Sequence, residues 1–126
     1  MNVMCSVSLG ELVDKISILV IKSRHIKDEK KMAHILKEEK TLRTSMDHLK
    51  LEGISTFLDK LIEINSALWK IEDDIREKEL NKKFDEEFIQ LARAVYVTND
   101  KRFAVKNEIN ERFGSDLREV KSYKKY

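Results

Sequence analysis

Charged and amide side chains interrupt two apolar stretches of this sequence. These polar side chains could bind or transform a small molecule. Along residues 61–79 and 95–109, apolar residues recur every three or four positions, as they do on the buried face of a helix. The polar residues that share those two faces are Asn65, Glu72, Arg76, Glu79, Thr98, Asn99, Arg102 and Lys106. Because a buried charge is costly unless it is paired, these side chains predict either an interhelical polar network or the lining of a water-filled cleft.

A cleft with this composition could bind an anion. Arg76, Arg102 and Lys15 would hold a phosphate or a carboxylate. Glu72 or Asp73 would then act as a general base or as a ligand of Mg²⁺. The alternative is structural, because polar residues inside a helical bundle often fix the register of its helices.

Residues from the first part of the chain extend this candidate site. Glu11, Lys15 and Lys22 are spaced so that they share one side of the first predicted helix. Trp69 and Tyr96 flank the polar stretches, where core packing with a satisfied polar tip would explain them equally well. The complete candidate polar set is Glu11, Asp14, Lys15, Lys22, Trp69, Glu72, Asp73, Arg76, Tyr96, Asn99, Asp100 and Arg102.

The sequence predicts no metal site and no cofactor. Each histidine has a glutamate four residues further on, as His25 has Glu29, but no third ligand is spaced to join such a pair. The lysines of 27–31 and 121–125 are expected to face solvent. Cys5 has no histidine or acid beside it in sequence, so we interpret it as a small hydrophobic residue.

The elements that position these residues are predicted to be helices. Ser8 and Glu11 fit a capping box, and Asp28, Ser55 and Asp85 are the expected N-caps of the later helices. The predicted helices cover residues 9–27, 29–51, 55–82 and 85–113. They are followed by a tail at 114–126 and preceded by a short strand or N-terminal arm at 1–7. Joined by short links, they predict a single domain over 1–126 that is all-α, an elongated antiparallel bundle of three to four long helices.

The composition excludes several classes of protein. The chain has 126 residues, 41% of them hydrophobic and 38% charged, with three Gly, no Pro and one Cys. It therefore suits one folded domain better than a disordered, collagenous or disulfide-rich chain. A formal charge of +2 gives no reason to expect nucleic acid as a partner, and the longest apolar run, 18–21, cannot span a bilayer.

Compartment and assembly follow from two local features. The single Cys5 and the absence of a signal-peptide pattern in 1–10 predict a cytoplasmic protein. The first predicted helix is apolar on more than one side, because Ile18 and Ile21 widen its stripe. Such a helix needs more than one neighbour, so we expect a homo-oligomer, specifically a homodimer.

Four segments of the chain carry a resemblance to known proteins. They are SLGELVDKISIL (8–19), ALWKIEDDIREKE (67–79), FIQLARAVYVTNDKR (88–102) and INERFGSDLREVKSY (109–123). With these segments the chain resembles, over almost its whole length, a family of short all-helical bacterial and phage proteins classed as a domain of unknown function. The family has no established activity to carry over, but its recurring polar motifs coincide with the candidate polar set.

Two all-helical enzyme families are weaker comparisons. Chorismate mutases open with a helix that looks like 11–24 and bind a dicarboxylate through buried Arg and Lys, but the likeness stops after that helix. Nucleotide pyrophosphohydrolases hold Mg²⁺ with an ExxE pair followed by an ExxD pair. In this chain Glu11 with Asp14, and Glu108 with Glu111, stand in the reverse order.

The function that the sequence favours is a dimeric, non-enzymatic binding or adaptor module. Its expected partner is a protein or a small anionic ligand, and neither nucleic acid nor a membrane. The alternative is a small all-α enzyme that acts on a phosphorylated or carboxylated metabolite, in the manner of a chorismate mutase or of a Mg²⁺-dependent nucleotide pyrophosphohydrolase.

Overall fold

The computed structural model describes all 126 residues as four α-helices joined by short links. The helices are α1 (Leu9–His25), α2 (Glu29–His48), α3 (Ile54–Leu80) and α4 (Glu86–Arg112). The prediction of an all-α bundle of long helices is confirmed, and the predicted ends differ from the observed ones by no more than three residues. None of the four helices combines the length and the apolar character that a membrane-spanning segment needs.

The first seven residues form neither a strand nor a helix, and all are exposed. Of the two alternatives for 1–7, a short strand or an N-terminal arm, the structure therefore excludes the strand. A strand needs the backbone groups of a second strand as partners, and an all-helical chain provides none.

Side-chain caps begin three of the four helices. Ser8, Asp28 and Asp85 each accept a hydrogen bond from the backbone N–H three residues further on. The prediction of Ser55 as a cap is wrong, because α3 already begins at Ile54 and has no side-chain cap. The residue before it is Gly53, whose φ of +85° is accessible without strain only to glycine.

The central element of the fold is α1. Its backbone packs against those of α2, α3 and α4, whereas α2 packs against α1 alone. Helices that follow one another are antiparallel. For α3 and α4 this is shown by the ion pair of Lys60 with Glu108 near one end and of Lys78 with Asp85 near the other.

The apolar core lies around the first half of α1. Its buried side chains are Val13, Ile16, Met46, Phe57, Leu58, Leu61 and Ile109. Of the two residues that widen the apolar surface of α1 and suggested a second copy, Ile21 is buried by helices of the same chain and Ile18 is half-buried. That surface gives no independent support for a dimer.

Beyond the core, α3 and α4 continue side by side as an arm, which we define as residues 69–98. None of the side chains in the arm is buried. The last turn of α1 ends at the base of the arm, where the His25 ring stacks on Trp69 with 4.8 Å between ring centroids. The arm consequently projects past the end of α1 as a two-helix extension.

Residues 115–126 fold back along α4 without regular secondary structure, and we call them the strap. The turn into the strap is made at Gly114, which has a φ of +66°. Ser115 Oγ then accepts a hydrogen bond from the first backbone N–H of α1. At the far end, the Tyr126 ring packs edge-on against Tyr96, with 5.1 Å between centroids.

Candidate functional site

The polar residues converge on Asp14 of α1, which is 1% exposed. Its Oδ1 accepts hydrogen bonds of 2.9 Å from Nδ2 of Asn65 on α3 and from Nε of Arg102 on α4. Its Oδ2 accepts another from Nη2 of Arg102. One carboxylate therefore joins three helices. Ser17, one turn further along α1, completes the contact by accepting from Asn65 at 2.8 Å.

A second cation, Lys106, lies next to Asp14 and Arg102 and is only 6% exposed. Its Nζ lies 2.8 Å from a carboxylate oxygen of Glu11 and 2.8 Å from one of Glu119 in the strap, and 4.0 Å from Asp14. We call these residues the ion network: Glu11, Asp14, Arg102, Lys106 and Glu119. Its three acids and two bases give a formal charge of −1. The two buried charged groups, Asp14 and Lys106, each have an oppositely charged neighbour, as burial requires.

The pKa shifts in the ion network all favour the charged forms. The hydrogen bonds to Asp14 raise the pKa of Arg102 above its ordinary value, against the effect of burial. Burial lowers the pKa of Lys106, but its contacts with Glu11 and Glu119 outweigh that effect and raise the pKa overall. Lys106 in turn lowers the pKa of Glu119. All three shifts stabilise the ion pairs that Arg102, Lys106 and Glu119 form.

Beside the ion network, α1, α3 and α4 enclose a cleft of about 360 Å³. Its apolar floor consists of Ile18, Ile21, Leu68 and Trp69. Its polar lining consists of Asn65, Glu72, Asp73, Arg76, Asn99 and Arg102. The structure thus brings together the polar stretches of α3 and α4, which sequence reasoning placed opposite each other, and adds an apolar floor from α1.

Arg102 has hydrogen-bond donors in the cleft that no protein group uses. A guanidinium has five N–H donors, of which Asp14 takes two, so three remain. The side chain is 27% exposed and lines the cleft. A guanidinium that is held along one edge by a buried carboxylate presents its other edge in a fixed orientation, which suits a carboxylate or a phosphate.

The other charged groups of the cleft differ from Arg102. Arg76 forms an ion pair with Glu72 one turn earlier on α3, so its charge is already balanced. Asp73 is exposed and makes no ion pair. No group of three or more His, Cys, Asp or Glu side chains is arranged to hold a metal ion.

Four residues of the candidate polar set lie outside both the cleft and the ion network. Lys15 is exposed and forms an ion pair of 3.3 Å with Glu38 on α2, so the prediction that it joins Arg102 in one site is wrong. Its neighbour in sequence is Asp14, and adjacent residues of a helix point about 100° apart. The other three are Lys22, in the last turn of α1, and Tyr96 and Asp100, which line a separate cavity of about 490 Å³ between α4 and the strap.

Two residues at the contact of α1 with α4 were not singled out from the sequence. Asn110 is 2% exposed and accepts a 2.7 Å hydrogen bond from the backbone N–H of Gly10. A Cβ on Gly10 would lie 2.5 Å from the backbone oxygen of Lys106, so glycine permits the close approach of the helices. In the sequence, the feature that indicates this close approach is a glycine in the first turn of a predicted helix.

Glu119 was also missed, because it lies in the strap, where no periodic pattern indicates which side chains turn inward. Its contact with Lys106 joins residues of different elements. Only the path of the folded chain reveals it.

Comparison with known proteins provides no functional precedent for this site. No family model, no curated protein and no solved structure matches the chain. The function of the chain is therefore inferred from the cleft and the ion network.

Proposed function

We propose that this chain is a non-enzymatic helical binding module whose cleft holds an anionic group of a small ligand or of a protein partner. The observation that carries this proposal is the state of Arg102, which is fixed on buried Asp14 and has unused donors at the cleft. The apolar floor, where Ile18 and Trp69 are half-buried, offers a surface to the non-polar part of the same ligand.

Two features of the cleft favour binding over catalysis. Glu72, which the sequence offered as a general base, shares its carboxylate with Arg76. Asp73 is exposed, and no hydrogen bond orients its carboxylate. A general base must be held within reach of the proton that it takes, and in this cleft the fixed group is a cation.

The wider proposal is a cytoplasmic homodimer that belongs to the short all-helical family of unknown function. The exposed, unpaired thiol of Cys5 supports a reducing compartment. The arm, in which no side chain is buried, supports self-association. The family membership is supported by the four segments that carry the resemblance, two of which supply the arm and the walls of the cleft.

The test is binding of small anions to the purified protein. Inorganic phosphate, succinate, sugar phosphates and nucleotides are screened by thermal shift, with and without Mg²⁺, and hits are measured by calorimetry. A ligand at 100 times its dissociation constant adds about 2.7 kcal/mol to the free energy of unfolding, which raises the midpoint by several degrees.

Three variants make this test specific. Arg102→Met should abolish binding. Arg102→Lys keeps a positive charge near Asp14 but loses the planar fork, so it should bind clearly less tightly while still folding. Arg93→Met is the control, because Arg93 is exposed on α4 and makes no ion pair. Binding that survives Arg102→Lys unchanged contradicts the proposal, and no hit across the panel contradicts a small anion as the ligand.

Recovery of the ligand after incubation separates binding from turnover. Unchanged ligand supports a binding module. Conversion of the ligand that Glu72→Gln removes would establish the enzymatic alternative, in which Glu72 acts on a phosphorylated or carboxylated metabolite.

A further inference from the structure

The charges around the cleft do not suit a ligand that is only an anion. The ion network, which includes Arg102, has a formal charge of −1. The other charged residues that line the cleft are Glu72, Asp73 and Arg76, and they add a further −1. A phosphate or a dicarboxylate would bring more negative charge to a site that is already negative, and like charges repel. A ligand that also carries a positive charge avoids this repulsion.

Two groups in the cleft are free to pair with such a ligand. The Arg102 guanidinium has three donors that no protein group uses. Asp73 lines the cleft, and its carboxylate makes neither a hydrogen bond nor an ion pair. Arg76 and Glu72, by contrast, pair with each other. The cleft consequently offers one cation and one anion to a ligand.

These two groups lie at different heights along α3. Arg102 is level with Asn65, because both donate a hydrogen bond to Oδ1 of Asp14. Asp73 lies eight residues further along the same helix than Asn65, or roughly 12 Å at 1.5 Å per residue. A contact of about 3 Å at each end leaves roughly 6 Å between the charged groups of a ligand that reaches both residues.

The surface between the two groups is apolar. Leu68 and Trp69 lie between Asn65 and Asp73 on α3, and Ile18 of α1 lines the same cleft. A hydrocarbon chain on this floor is removed from water, which is favourable. A polar linker would lose its hydrogen bonds to water there. The floor therefore favours a ligand whose charged ends are joined by methylene groups.

We infer that the ligand of the cleft is a small zwitterion in which a short hydrocarbon chain separates a carboxylate from an ammonium group. The carboxylate binds the free edge of Arg102, the chain lies on the floor beside Trp69, and the ammonium pairs with Asp73. A carboxylate suits the site better than a phosphate, because the ammonium balances its single negative charge. A cleft of about 360 Å³ lies within the range of small-molecule sites.

This inference rests on the proposed function, because Arg102 holds the anionic group in both. It adds the charge and the length of the ligand.

The probe that tests the inference is 5-aminopentanoate, whose charged ends are about 6 Å apart when the chain is extended. Pentanoate lacks the ammonium, and glutarate has a second carboxylate in its place, so the three compounds differ at one end only. Trp69 is the only tryptophan of the chain, so its fluorescence reports binding at the floor in titrations at constant ionic strength. We expect 5-aminopentanoate to bind about threefold more tightly than pentanoate and roughly tenfold more tightly than glutarate.

The part of Asp73 in this preference is tested by Asp73→Asn. The substitution should lower the affinity for 5-aminopentanoate, because an attraction is lost. It should raise the affinity for pentanoate and glutarate, because a repulsion is lost. Asp74→Asn is the matched control, since Asp74 is the next residue of α3 but pairs with Lys70 and does not line the cleft. Equal effects of the two substitutions overturn the inference.

The length of the ligand is tested by comparing β-alanine with propanoate. The charged groups of β-alanine are too close together to reach both Arg102 and Asp73, so its ammonium should improve binding little. If β-alanine gains as much over propanoate as 5-aminopentanoate gains over pentanoate, the ligand does not span the floor and the inference is wrong.

Arg102→Met separates this inference from the proposed function, since it should abolish the binding of all three five-carbon carboxylates. Suppose that pentanoate or glutarate binds as tightly as 5-aminopentanoate and that Arg102→Met removes this binding. The zwitterion is then overturned, and the anion site stands. If none of the three carboxylates binds, a small anion at Arg102 has failed and the zwitterion fails with it.

Discussion

At the scale of single residues, one buried carboxylate organises the molecule. Asp14 accepts hydrogen bonds from Asn65 and Arg102 and thereby connects three helices. Stability alone does not explain a buried carboxylate, since replacing a buried ion pair by apolar groups often leaves the free energy of unfolding unchanged. What Asp14 provides is orientation, because it holds Arg102 in one position at the cleft.

Removing the charge of Asp14 should destabilise the fold strongly. In Asp14→Asn an amide group would face the donors of Arg102 and Asn65, and Lys106 would lose a neighbouring negative charge. We expect a loss of about 3 kcal/mol, the lower end of the range for a broken buried pair, because Arg102 keeps some contact with water. Urea unfolding measures the change.

The matched control is Asp73→Asn, which removes an exposed carboxylate that makes no ion pair. Its effect should stay within about 0.5 kcal/mol. If the two substitutions have similar effects, Asp14 does not organise the ion network as described.

At the scale of elements, the contact of α1 with α4 depends on a residue without a side chain. Gly10 lies so close to α4 that a Cβ would be 2.5 Å from the backbone oxygen of Lys106. Its N–H donates to Asn110 across the same contact. The approach of these two helices brings Asp14 within reach of Arg102 one turn further along, so the glycine helps to build the site without being part of it.

Gly10→Ala should therefore destabilise the protein. Alanine is about 1 kcal/mol better than glycine within a helix, but the atom in the way is backbone and cannot move cheaply. We expect a net loss of roughly 1 to 3 kcal/mol, as for other overpacked contacts, measured by urea unfolding. Ser45→Ala, at an exposed position of α2, is the control and should change stability by less than about 0.5 kcal/mol. A stabilised Gly10→Ala protein would contradict the close approach.

At the scale of the whole molecule, the strap closes the ion network. Glu119 brings a third carboxylate to Lys106, at 2.8 Å. The contact lowers the pKa of Glu119 below its ordinary value of 4.5. Because the pKa is lower in the folded state than in the unfolded one, the stabilising contribution is present above about pH 4.5 and is lost as the pH falls through the lowered value.

The strap should consequently loosen in acid before the helices unfold. The heteronuclear NOE of residues 116–126, measured by NMR between pH 6 and pH 3, should report increased motion of the strap below about pH 4.5. In Glu119→Gln the strap should already be more mobile at pH 6 and should change less in acid. Glu108→Gln, whose ion pair with Lys60 lies away from the strap, is the control. Equal mobility of the strap at both ends of the range would contradict this account.

Features that depend on neighbours in sequence were predictable. The helical period, and the caps at Ser8, Asp28 and Asp85, involve residues three or four positions apart, so the chain specifies them before it folds. The all-α class and the four long helices follow from those local rules. The stretches of α3 and α4 that face each other across the cleft were also predictable, because a short turn between antiparallel helices places residues at equal distances from it side by side.

Only the tertiary structure decided which polar residues meet. Lys15 and Asp14 are adjacent in sequence, and both belong to the candidate polar set. In the structure Lys15 pairs with α2, whereas Asp14 is buried between α3 and α4. The direction in which each side chain points depends on which neighbours cover α1, and periodicity does not show that. The contact of Glu119 with Lys106, and the arm left without a core, likewise depend on the path of the strap and on where α1 ends in space relative to α3 and α4.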